Sequence, residues 1–140
     1  MYLIVEELLT SLEQTVVVSE RTEIESIRPY IYLHGAPAGS LKLSIISGST
    51  TLSSKTMTVA ALISAAAITQ TYAHGFVRFQ LDDTVFIPAG TYIVKLEGVG
   101  YTFGATWAGW VKEYENLTNT PTTTITNDLD QPLSMQIWSY

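Results

Sequence analysis

Between Tyr72 and Gly98 the chain reads YAHGFVRFQLDDTVFIPAGTYIVKLEG, and two runs inside this stretch alternate apolar and polar side chains. Strand side chains repeat every two residues. Val77, Phe79 and Leu81 therefore share one face of a first strand, and Tyr92, Val94 and Leu96 share one face of a second. Arg78, Gln80, Lys95 and Glu97 are left for water, although Phe76 and Ile93 stand on those same outer faces. Between the runs, Ile87-Pro88-Ala89-Gly90 offers a proline that presets φ and a glycine that admits a left-handed residue. The phrase therefore predicts a tight hairpin. Two such strands bury one side and wet the other, so the chain is expected to build a sandwich of sheets.

The flanking segments extend this pattern. Gln14–Ser19 is a β-branched run. Thr22–Leu33 holds two strands split at Pro29, which lacks a ladder donor and so marks an edge or a bulge. Residues 34–40 read as a loop by their glycine and proline content, Leu41–Ile46 as a strand, and Ser47-Gly48-Ser49 as the turn into Thr51–Val59. Ala60–Ala67 drops the alternation for strong helix formers, which predicts one short helix. Trp107–Tyr114 and Pro132–Tyr140 are further strands. Residues 115–130 read as a polar surface loop with an extended piece at Thr122–Thr126. The expected architecture is all-β: a two-sheet antiparallel β-sandwich of jelly-roll type with roughly nine strands and one short helix. Residues 11–140 form its single domain. Residues 1–10 serve as an N-terminal arm or an extra strand, with Tyr2–Leu9 outside the core pattern.

Composition narrows the functions. With 140 residues and no cysteine, one core forms without disulfides, and thiolate chemistry is excluded. Only 14% of residues are charged and the net charge is −6, which opposes binding to a phosphate backbone; nucleic acid is not an expected partner. The opening MYLIVEELLT has no basic stretch and is too short to span a bilayer, so neither a secretion signal nor a membrane partner is expected.

Few residues suggest chemistry. His34 and His74 each adjoin a glycine, in a loop or at a strand start, and have no second ligand at metal spacing, so backbone bonding explains them best. No G-x-S-x-G elbow is present, and no acid–base pair stands out, so no catalytic residue is expected. Asp82, Asp83, Asp128 and Asp130 could supply oxygen to calcium, but their spacing matches no binding loop and turn aspartates commonly bond local backbone. No metal or cofactor is expected. The aromatic residues Tyr101, Phe103, Trp107, Trp110 and Tyr114 are concentrated near one strand. Tyr101, Trp107, Trp110 and Tyr114 are the candidate ligand or interface residues, although core packing or subunit contact weighs more for most of the set than a sugar platform. Trp107 and Trp110, three apart, fall on opposite faces, one in the core and one more open.

The phrases QTVVVS, TEIESIRPYIYLHGAPAGSLKLSIISG, YAHGFVRFQLDDTVFIPAGTYIVKLEG, GWVKEYENLTN and DLDQPLSMQIWSY together resemble the jelly-roll modules of structural proteins of tailed bacteriophages. The likeness covers about residues 12–140 and centres on I-P-A-G-T-Y before an alternating strand; sandwich modules of carbohydrate-binding type share it. It implies a non-enzymatic virion component made in the host cytoplasm, a capsid decoration protein or a tail-associated part. Its expected partners are other capsid or tail proteins and further copies of itself. The alternative is a carbohydrate-binding, host-recognition module of a tail fibre, with a glycan as partner. No site residue is carried over by the resemblance.

Overall fold

The alternating runs form strands, but they pair in an order that local pattern does not reveal. The computed structural model describes residues 4–18, 20–35, 37–65, 73–112, 117–118, 123–125 and 135–139. In chain order the elements are β1 (Ile4–Glu7), β2 (Ser11–Val18), β3 (Thr22–His34), β4 (Ser40–Ser47), β5 (Thr50–Thr58), α1 (Val59–Ala65), β6 (Ala73–Phe76) and β7 (Phe79–Ile87). They continue with β8 (Gly90–Val99), β9 (Trp107–Lys112), β10 (Leu117–Thr118), β11 (Thr123–Ile125) and β12 (Met135–Ser139).

β6 and β7 both run antiparallel to β3 and are separated only by Val77 and Arg78, so they act as one broken strand. Counted that way, β1 to β9 pair as a long hairpin rolled on itself. The first strand pairs with the last (β1 with β9) and the second with the seventh (β2 with β8). The third pairs with the sixth (β3 with β6 and β7), and β4 with β5 closes the middle. Pairing of β3 with β9 and of β4 with β8 completes two sheets. This is the jelly roll expected from the sequence. Later segments add to it: β12 joins β3, β10 lies parallel on β12, and β11 joins β2.

The core lies between the sheets and is filled by every second residue. Val16 and Val18 from β2, Leu41, Leu43 and Ile45 from β4, and Tyr92, Val94 and Leu96 from β8 face Ile27, Ile31 and Leu33 of β3, Phe79 and Leu81 of β7, and Trp110 of β9. Burying each such side chain contributes roughly 1.5–3 kcal/mol. The helix falls where helix formers replace alternation. Thr58 caps it, its Oγ1 accepting the Ala61 amide at 3.0 Å, and Val59 and Leu62 join the core.

The structure corrects three expectations. Ile87-Pro88-Ala89-Gly90 does not make a hairpin within one sheet, because β7 pairs with β3 whereas β8 pairs with β2 and β4. It is a corner between sheets. Gly90 sits at φ 158°, near the extended limit, and the Tyr92 hydroxyl donates to the Pro88 carbonyl at 2.6 Å. A tyrosine bonded a few residues upstream is a known way to fix a sandwich corner. Pro29 does not split its segment; it lies buried inside β3, which is central in its sheet. On one side it falls in the gap where β6 gives way to β7, and its carbonyl accepts the Val77 amide at 3.0 Å; on the other side it stands opposite Met135, the first residue of β12, where β12 gives way to β9. Finally, the N-terminal segment does not stand outside the core pattern. β1 pairs with β9, and Leu8 is fully buried, its amide donating to Ala108 at 2.9 Å.

Candidate functional site

β9 carries two tryptophans, and the strand's alternation separates them. Trp110 and Ala108 point into the core. Trp107 therefore points outward, as do Tyr32 and His34 of β3, whose neighbours Ile31 and Leu33 are buried inside. The register makes Trp107 and His34 direct partners and sets Tyr32 opposite Gly109. Cross-strand neighbours of this kind are within contact distance.

Trp107 is the hub of the resulting cluster. The His34 ring lies nearly parallel to it, with centroids 5.0 Å apart at 6°. Tyr32 is 5.6 Å away at 33°, and Phe103, from the β8–β9 connection, 6.2 Å away at 35°. Gly109 makes the arrangement possible: a Cβ there would meet Val5 Cγ1 at 2.5 Å and Trp107 Cζ3 at 3.1 Å, so the indole leans over the space that a side chain would take. Tyr32, His34 and Trp107 are half-buried, and Phe103 is 38% exposed. The nearest charge that the register supplies to this face is Glu7 of β1, the partner of Gly109 and itself exposed.

The sequence-based candidates disperse in three dimensions. Trp107 is central to the cluster. Trp110 belongs to the core, which removes it from any site. Tyr101 is a structural latch: its hydroxyl donates to the Leu8 carbonyl at 2.7 Å and accepts the Ala108 amide at 3.0 Å, joining the β1–β2 connection to β9. Burial, with a lesser push from the Glu7 carboxylate, raises this hydroxyl above its ordinary value of 10.0, while the bond to Ala108 pulls the other way. Tyr114 lies outside the described residues. His34 enters the sequence reading only as a possible metal ligand and Tyr32 not at all, although YIYLH alternates and places both on the face opposite Ile31 and Leu33.

Of the residues weighed for metals, His74 lies at the start of β6, one of its two expected placements, whereas His34 is the last residue of β3, neither in a loop nor at a strand start. Asp82 and Asp83 fall within β7 and not in a turn, and Asp128 and Asp130 lie outside the described residues. Among the described residues no group of three or more His, Cys, Asp or Glu side chains is placed to hold a metal ion.

No family model, curated protein or solved structure matches this chain.

Proposed function

We propose that this chain is a non-enzymatic structural component of a tailed-bacteriophage virion, a capsid decoration protein or a tail-associated part. It works by associating with further copies of itself and with a capsid or tail partner. The observation that carries this reading lies at the end of the roll where the β1–β2 and β8–β9 connections meet. Just beyond the Ser11–Glu97 end of the β2–β8 ladder the Gly98 amide donates to the Thr10 carbonyl at 3.1 Å, and the residues flanking this bond are Leu9 and Val99. Both stand in water, 59% and 46% exposed. Covering such apolar surface gains about 25 cal/mol per Å², and neighbouring exposed apolar side chains mark contact surfaces.

The low charge of the chain supports the same reading, because little repulsion guards its faces and edges against a neighbour. The jelly-roll strand order is compatible with the phage modules that the sequence resembles, and that resemblance is what motivates the proposed setting, a virion assembled in the host cytoplasm. Leu9→Glu and Val99→Glu should each keep the wild-type β spectrum and fall at least about tenfold in incorporation into particles, a loss of roughly 1.4 kcal/mol in docking. If both variants incorporate like wild type, the reading is wrong. The aromatic cluster favours a second reading, recognition of a glycan by the same component.

A further inference from the structure

We infer that Tyr32, His34, Phe103 and Trp107 form a stacking site for the neutral hexose units of an oligosaccharide, an inference that rests on the second reading and is independent of docking through Leu9 and Val99. A hexose has a face of C–H groups and a rim of hydroxyls. Rings that show an apolar face and a polar edge match it: dispersion holds the sugar face, and the tyrosine hydroxyl, imidazole and indole N–H lie at the ring edges. Here the rings gather round one indole at centroid separations of 5.0 to 6.2 Å, on the outer face of a sheet that does not need them for its core.

The support beneath the rings is rigid. Trp107 and His34 are cross-strand partners whose rings stack on each other, and the indole leans over Gly109, contacts that restrict its rotamers before a ligand stacks. The electrostatics select among sugars. Glu7, exposed on the same face beside Gly109, can accept hydrogen bonds from sugar hydroxyls and repels anionic groups. With a net charge of −6 on the chain, sialylated or phosphorylated glycans are disfavoured. The site therefore takes neutral hexoses.

The test is to titrate the full-length protein with gluco-, manno- and galacto-configured neutral oligosaccharides, following tryptophan fluorescence and heat. At least one series should bind saturably below about 1 mM. Trp107→Ala should abolish that binding with the fold retained, Trp107→Phe should keep part of it, and Phe103→Ala, in a connection, should weaken it severalfold. Leu9→Glu and Val99→Glu should bind sugar like wild type, so loss of particle incorporation and loss of sugar binding report separate failures. The inference is overturned if no series binds, or if Trp107→Ala and Phe103→Ala bind like wild type. It is also overturned if the protein sediments as an oligomer that Phe103→Ala dissociates, which assigns the face to a second copy.

Discussion

The two sheets face one core but are built differently. In the second sheet β8 pairs along its length with β2, from Ser11 opposite Glu97 to Val18 opposite Gly90, and with β4, from Ser40 opposite Val99 to Ile46 opposite Ile93. Neither ladder shifts register. In the first sheet, β3 has two partners on each side, and both sides change partner around Pro29. A further register shift lies between Ile24 and Ser26. Long ladders distribute the specification of register over many side-chain pairs, because a slip of one residue would turn every apolar side chain outward. Short ladders do not, so the first sheet depends on particular contacts such as Trp110 in the core and the Tyr101 latch. The aromatic cluster lies on this patched sheet, where the change of partners brings β9 against the end of β3.

That contrast can be tested in order of expected effect. Trp110→Ala should cost most, about 3–5 kcal/mol, by removing a fully buried ring from the middle of short ladders; chemical denaturation measures it. Val94→Ala, fully buried at the centre of the continuous ladders, should cost about 1–3 kcal/mol. A greater loss for Val94→Ala than for Trp110→Ala would reverse the comparison. Tyr101→Phe should cost about 1–2 kcal/mol, because the Leu8 carbonyl and the Ala108 amide lose their shared partner.

The latch also predicts a pH signature. The folded Tyr101 hydroxyl titrates above its ordinary value of 10.0, so the folded state holds this proton more tightly than the unfolded chain. Its contribution is fully present below pH 10.0 and is lost as pH rises from there through the raised folded value. The stability gap between wild type and Tyr101→Phe should narrow over that interval. A constant gap would show that the hydroxyl is not held in this way.

Much of the fold is readable locally. The alternation in VRFQL and TYIVKLE identifies inward faces from single strands, and the alanine run at 60–67 signals the helix, because both depend only on the periodicity of neighbouring residues. The corner at Pro88 was legible as a turn but not as a change of sheet. A hairpin and a corner use the same turn residues and differ only in which strands lie beside them. The burial of Leu8 was not legible either, since it depends on pairing between β1 and a strand about a hundred residues away.

The candidate site follows the same division. The sequence alone determined that Trp107 and Trp110 face opposite ways, because three residues along a strand reverse the side-chain direction. It also determined that the chain has no cysteine chemistry and little charge. Only the tertiary structure decided which tryptophan is inside, and only it joined His34 and Tyr32 to Trp107. Those contacts arise from the register between β3 and β9, which is selected by packing of the whole core and is not encoded in the residues that touch.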